Sequence, residues 1–128
     1  MVLELRANIS EELMNAINDR IYLDLELHVL NNRLFKAERE GKEGFAEYLN
    51  KLILDVSLKR KATNECLRSN GVKIHDVIED EDAEFVTYPY HQKINGGFKE
   101  GEMRYWRSAL KLGLKKRMSE YFKEGEHH

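Results

Sequence analysis

The pattern of apolar and polar positions along the chain predicts three long helices. The first begins at Ser10, whose hydroxyl is placed to accept a hydrogen bond from the first turn, and Glu11 and Glu12 suit the positive end of the helix dipole. Apolar residues then recur at helical spacing until Gly41 and Gly44 supply a turn, which predicts a helix of about 30 residues. They are Leu13, Ile17, Ile21, Leu23, Leu27, Leu30 and Leu34.

A second helical pattern starts near Gly44 and ends at Asn70 and Gly71, which tolerate the left-handed backbone of a helix end. One face of this helix carries Phe45, Leu49, Leu52, Val56, Thr63 and Leu67. Because the connection to the first helix is short, we expect the two helices to pack as an antiparallel hairpin.

The third helix is predicted to start after Gly101 and to run to about Lys123. Its apolar side is made of Met103, Trp106, Ala109, Leu110, Leu114 and Tyr121. Gly113 lies in the centre of that side, where the missing side chain lets a neighbouring element approach closely.

The apolar positions within residues 72–100 show neither a clear helical nor a clear strand periodicity. The run "FVTYPY" is strand-like until Pro89, and "INGG" is a turn signal, but "FKEG" offers little of a second strand. We therefore expect a short fourth element and an irregular loop rich in aromatic residues and glycine over residues 85–107. The predicted fold is an all-α antiparallel bundle of three long helices.

Composition predicts a single helical domain over residues 1–126. The sequence has 128 residues, of which 41% are hydrophobic and 34% charged, enough to bury one core. No apolar run approaches the about 20 residues that cross a bilayer, and no signal peptide is apparent, so we expect a cytoplasmic protein. The one cysteine, Cys66, is predicted to be buried. We interpret His127 and His128 as the remnant of an expression tag.

A row of polar residues interrupts the apolar face of the first helix. Arg20, Asp24, His28 and Asn31 follow one another at spacings of three or four, so each can touch the next. A histidine oriented by a carboxylate is what a general base or a metal ligand needs. The prediction we favour is a buried polar network that fixes helix packing, because Asp24 and His28 make only half a metal site.

The aromatic stretch is the second candidate site. Tyr88, Tyr90 and His91 lie close in sequence to Arg104 and Arg107, and tyrosine and arginine are residue types that dominate binding surfaces. The favoured interpretation is a structural cover over the core, with contact to a ligand or partner as the alternative. The spacing of the glycines is not that of a phosphate-binding loop.

The third candidate site is a cluster of basic residues. Eight basic and three acidic residues lie between Lys99 and Lys123, and Arg104, Lys111 and Lys115 are predicted to share an outer helix face. Such a face can follow a nucleic-acid backbone or an acidic protein. The net charge of -2 and the pI near 6.2 argue against a protein that binds nucleic acid over its whole surface. A solvated or internally paired face is the simpler prediction.

No catalytic motif stands out, and we expect no cofactor and no metal. The sequence therefore favours a small non-enzymatic interaction module that binds a protein partner, or a second copy of itself, through a helix face and the 85–107 loop. The alternatives are nucleic-acid binding through the basic third helix and a metal or small-ligand protein that uses Asp24 and His28. No interaction with a membrane is expected.

Overall fold

The computed structural model describes residues 9–82 and 84–122 in full, together with the backbone of residues 2–5. This part of the chain contains three helices: α1 (Glu11–Arg39), α2 (Glu43–Ser69) and α3 (Arg107–Phe122). Its strands are β1 (Val2–Leu5), β2 (Val72–Ile74), β3 (Ile78–Glu79), β4 (Phe85–Ile94) and β5 (Gly97–Trp106). The predicted tag remnant at His127 and His128 lies outside the described residues.

The all-α prediction is wrong. The chain forms an antiparallel sheet with the strand order β1-β5-β4-β2, and β3 also pairs with β4. All of these strands except β1 lie between α2 and α3. The molecule is a mixed α/β protein in which a helical hairpin precedes most of the sheet and α3 follows it.

The helical hairpin itself was predicted correctly. Ser10 caps α1, since its Oγ accepts a hydrogen bond of 3.2 Å from the backbone N–H of Leu13. The turn between α1 and α2 contains Gly41 with φ +70°, and α2 is followed by Gly71 with φ +74°. Both glycines adopt the left-handed conformation that ends a helix at little steric cost.

The predicted irregular loop is a β-hairpin. Strands β4 and β5 pair along their whole length, from Phe85 with Trp106 to Ile94 with Gly97. The two residues left between them, Asn95 and Gly96, make the turn, and Gly96 has φ +85°. Asn-Gly between paired strands is the strongest short hairpin signal.

The start of the third helix was predicted too early for the same reason. Met103 and Trp106 are three residues apart, so they fit one face of a helix as readily as they fit a strand. In the structure Met103 is buried and Trp106 is exposed, because they point to opposite faces of β5. Helix α3 begins at Arg107, where the pairing with β4 ends.

Two apolar cores hold these layers together. The first lies between α1 and one face of the sheet and contains Ile17, Ile21, Tyr90, Met103 and Tyr105. The second joins the three helices through Leu23, Leu30, Leu49, Val56 and Met118. Helix α1 contributes to both cores, so it is the element against which the sheet and α3 are positioned.

Two further sequence predictions can be compared with the structure. Cys66 is exposed, so the prediction that it faces the core is wrong. Within the described ranges, none of the helices combines the length and the apolar character needed to cross a membrane.

Candidate functional site

The alternation of side chains along β4 and β5 gives the sheet two unlike faces. The inner face packs on α1 and buries Val86, Tyr90, Met103 and Tyr105. We use the name outer sheet face for the opposite surface, which is formed by His75, Ile78, Phe85, His91, Phe98, Arg104 and Trp106.

Three large apolar side chains of the outer sheet face are more than half exposed. The exposed fractions are 55% for Ile78, 60% for Phe98 and 57% for Trp106. Isolated exposed apolar residues are normal on a protein surface, whereas several on one face indicate a contact region.

Ring contacts hold one end of the outer sheet face in a fixed arrangement. The rings of Phe85 and Trp106 meet edge to face with centroids 5.9 Å apart. The guanidinium carbon of Arg104 lies 4.1 Å from the Phe85 ring centroid, and Arg104 also forms an ion pair of 3.1 Å with Asp80. Trp106 therefore projects from a surface whose neighbouring side chains are already ordered.

The other end of the outer sheet face carries a histidine pair. Nε2 of His75 and Nδ1 of His91 are 2.7 Å apart, and the His91 ring meets the Phe98 ring edge to face. A cavity of about 230 Å³ beside this pair is also lined by Glu100 and Glu102. No group of three or more His, Cys, Asp or Glu side chains within residues 9–82 and 84–122 is arranged to hold a metal ion.

A larger cavity of about 510 Å³ adjoins Trp106 at the junction of β5 and α3. Its lining comprises Glu84, Phe85, Trp106, Arg107, Ser108 and Lys111. The backbone N–H of Arg107 donates to the carbonyl of Glu84, which ties the start of α3 to the start of β4. The side chain of Arg107 forms an ion pair of 3.4 Å with Glu79.

The structure divides the predicted partner-binding residues between the two faces of the sheet. Tyr88 and Tyr90 point inward, and Tyr90 is only 2% exposed, so Tyr90 is not available to a partner in the folded protein, while Tyr88 packs partly buried against the core. His91 and Arg104 lie on the outer sheet face, and Arg107 borders the adjoining cavity. The sequence analysis assigned the exposed Trp106 to the apolar side of a helix, although alternation along a second strand would have placed it on the outer sheet face.

The predicted buried network on α1 is not buried. Arg20 pairs with Asp24 at 3.2 Å, but Asp24 is exposed and also pairs with Arg60 of α2. The His28 ring is within 3.4 Å of the Asn32 amide, and Asn31 donates to the carbonyl of Leu27. The row therefore lies at the solvent edge of the α1–α2 contact, and Asp24 does not orient His28.

The residues of the predicted basic face lie on two different elements. Lys111 and Lys115 are exposed on α3, one turn apart, but Arg104 belongs to β5 and is paired with Asp80. The three cations consequently do not form one helical stripe, because the helix begins only at Arg107.

A buried ion pair that sequence reasoning missed joins α1 to α3. Glu26 is fully buried and accepts hydrogen bonds from the guanidinium of Arg117 and from the hydroxyl of Tyr121. Arg117 also contacts Asp19 at 3.3 Å, and the Tyr48 hydroxyl of α2 donates to the backbone carbonyl of Tyr121. The available signal was the position of Glu26, one turn from both Tyr22 and Leu30 on the apolar side of α1.

The electrostatics of this cluster favour the charged form of Arg117 and the neutral form of Tyr121. Burial acts to lower the pKa of Arg117, but the hydrogen bonds to Glu26 and Asp19 and the charges of these two carboxylates together raise the pKa by more. Burial and the hydrogen bond to Glu26 raise the pKa of Tyr121. Arg117 thus stays cationic and Tyr121 stays a hydrogen-bond donor, which identifies the cluster as a structural connection between helices.

Comparison with known proteins identifies the family. No curated protein and no solved structure matches the chain. The family model described as "YhjD protein" matches residues 8–126, which include both the helical hairpin and the β4–β5 hairpin that forms most of the outer sheet face. The chain therefore belongs to the YhjD protein family.

Proposed function

We propose that this protein is a binding module whose outer sheet face contacts a protein partner. The observation that carries the proposal is the exposure of Ile78, Phe98 and Trp106 on one face of the sheet, on either side of Arg104. Tryptophan and arginine are enriched among the residues that contribute most to protein interfaces. Ile78 and Trp106 lie near Arg104. Phe98 lies eight residues from Trp106 along β5, about 26 Å at the strand rise of about 3.3 Å per residue, so Trp106 and Phe98 mark the two ends of an extended contact face.

The fixed geometry around Trp106 supports the same proposal. Ordering flexible side chains opposes association by about 0.5–1.5 kcal/mol for each side chain that becomes immobile. The contacts of Phe85 with Trp106 and with Arg104 exist before a partner arrives, so part of this cost is already met in the free protein. The cavity of about 510 Å³ next to Trp106 offers a recess for a side chain of the partner.

We also propose a cytoplasmic location. The protein partner is either a different protein or a second copy of the chain. Cys66 is a free, exposed thiol, a state that is typical of a reducing compartment. A homodimer that uses the outer sheet face would place the same surface on both subunits around a twofold axis.

Site-specific photocrosslinking tests the proposal. A photoreactive phenylalanine analogue is introduced at Trp106 or Phe98, in cells of the source organism, and crosslinked products are identified by mass spectrometry. Leu54 and Leu58 of α2 are the matched controls, because they are 60% and 58% exposed but lie on a different element. We expect one defined protein to be captured from both sheet positions and from neither α2 position.

The products also distinguish the two kinds of partner. A product with twice the mass of the chain assigns the outer sheet face to a homodimer, and a heterologous product assigns it to another protein. Equal capture from α2 and from the sheet, or no capture from either sheet position, contradicts the proposal.

A further inference from the structure

A groove between α1 and α3, which shares Lys111 with the cavity beside Trp106, combines an apolar floor with basic rims. Its volume is about 410 Å³, and its floor includes Leu114, Met118 and Phe122 of α3. Met118 is buried in the second core, so the floor continues into the packed interior. Because Leu114 and Phe122 are eight residues apart, the floor is about 12 Å long at the helical rise of about 1.5 Å per residue.

Three cations lie around this floor. Arg33 of α1 and Lys111 and Lys115 of α3 line the groove, and none of the described residues that line it is a carboxylate. The guanidinium carbon of Arg33 lies 4.7 Å from the centroid of the Phe122 ring, which holds the charge at the edge of the apolar floor.

In lacking an ion pair, Arg33 differs from most arginines in the described part of the chain, whereas Lys111 and Lys115 resemble most of its lysines. Arg20, Arg60, Arg104, Arg107 and Arg117 each form an ion pair with a carboxylate. Arg33, Lys111 and Lys115 form no ion pair with any described residue. Lys111 and Lys115 are four residues apart on one helix, a spacing at which like charges repel. An anion in the groove would relieve this repulsion and supply the missing counter-charge.

We propose that the groove binds a single-chain anionic amphiphile, specifically a long-chain fatty carboxylate. The alkyl chain lies on Leu114, Met118 and Phe122, and the carboxylate is held by Arg33, Lys111 and Lys115. Arginine binds carboxylates through paired hydrogen bonds, and the unbranched side chain of methionine adapts to a flexible alkyl chain.

The size of the groove suits an alkyl chain. The groove provides about 410 Å³, which lies within the range of sites for small molecules. The lack of a carboxylate among its described lining residues favours an anionic head group over a cationic or zwitterionic one.

Titration calorimetry with sodium dodecanoate, below the concentration at which it forms micelles, tests the inference. We expect saturable binding of one dodecanoate per chain and at least tenfold weaker binding to the Lys111→Gln/Lys115→Gln variant. The variant Lys51→Gln/Lys61→Gln, with two exposed lysines of α2 changed, removes the same charge elsewhere and is expected to bind like the original protein. Dodecyltrimethylammonium is expected not to bind.

Several results would overturn the inference. Binding of dodecanoate that does not saturate, or that is unchanged in Lys111→Gln/Lys115→Gln, shows that no specific anion site exists. Equal binding of dodecyltrimethylammonium shows that only the apolar floor matters. A short oligothymidylate that displaces dodecanoate while dodecanoate alone binds weakly would assign the cations to nucleic acid. Both lysine variants must give the circular dichroism spectrum of the original protein.

Discussion

Replacing Arg117 with methionine is expected to lower the free energy of unfolding by about 3–5 kcal/mol, because it leaves the fully buried carboxylate of Glu26 without its cation. The hydroxyl of Tyr121 would still donate a hydrogen bond to Glu26, but the contact of Arg117 with Asp19 would also be lost. A loss of this size is a large fraction of the about 5–15 kcal/mol that stabilises an ordinary domain. Urea denaturation followed by circular dichroism measures the change.

Two further variants test whether the loss of stability comes from the unpaired buried charge or from a general loss of packing. Arg60→Met removes an arginine whose partner, Asp24, is exposed, so we expect a loss of only about 0–1 kcal/mol. Adding Glu26→Gln to Arg117→Met removes the buried charge but keeps an acceptor for Tyr121, and should recover most of the lost stability. If Arg117→Met costs no more than Arg60→Met, Glu26 is not a buried carboxylate that depends on Arg117.

Gly113→Ala is expected to destabilise the protein by about 1 kcal/mol or more, although alanine is the better helix former. In an exposed helix the same change would stabilise by about 0.5–1 kcal/mol. Here a Cβ at Gly113 would clash with the hydroxyl of Tyr22 and lie 2.9 Å from its Cζ. The Tyr22 ring cannot move freely, because it packs against Tyr105 and under Arg117, so overpacking of about 1–3 kcal/mol should outweigh the gain in helix propensity.

A second helical glycine is the control for the predicted loss of stability in Gly113→Ala. Gly44 lies in the first turn of α2, and a Cβ there meets no atom within 4 Å, so Gly44→Ala should be neutral or stabilising. Tyr22→Phe removes the clashing hydroxyl and should make Gly113→Ala less costly than it is in the original protein. A stabilising Gly113→Ala would show that α3 does not approach Tyr22 as closely as the structure places it.

The helical hairpin could be predicted because its signals are local. Ser10 caps α1, Gly41 makes the turn and Gly71 ends α2, and each of these effects depends on a few neighbouring residues. The long apolar period of each helix adds independent evidence at every turn. The boundaries of α1 and α2 were consequently close to those observed.

The sheet could not be predicted in the same way, because its strands are stabilised by partners distant in sequence. Strand β5 pairs with β1 from the start of the chain, and "FKEGEMRYW" has no strong strand composition of its own. Met103 and Trp106 fitted a helical face, and Pro89 was treated as an interruption although it lies within β4. Only the Asn95–Gly96 turn carried a local signal for the hairpin.

The sequence directed attention to the 85–107 stretch but did not show which of its side chains are exposed. The 85–107 stretch does form the exposed surface at one side of the molecule, and His91 and Arg104 are part of it. Tyr88 and Tyr90 were chosen because of residue type, but alternation places them against the core. Glu26 was not chosen because a single acidic residue on an apolar helix face has no visible partner until α3 brings Arg117 to it.

The outer sheet face exists only if residues 97–106 form a strand, and cysteine labelling tests this most directly. Cys66 is first replaced by serine, a mild change at an exposed position. Single cysteines are then introduced by Met103→Cys, Arg104→Cys, Tyr105→Cys and Trp106→Cys, and their alkylation rates are measured under native conditions.

The alkylation rates distinguish a strand from a helix by their period. A strand predicts fast labelling for Arg104→Cys and Trp106→Cys and slow labelling for Met103→Cys and Tyr105→Cys, because successive side chains point to opposite faces. A helix would place residues 103 and 106 on the same face. Slow labelling of both Met103→Cys and Trp106→Cys would therefore contradict the strand, and with it the outer sheet face and the function proposed for it.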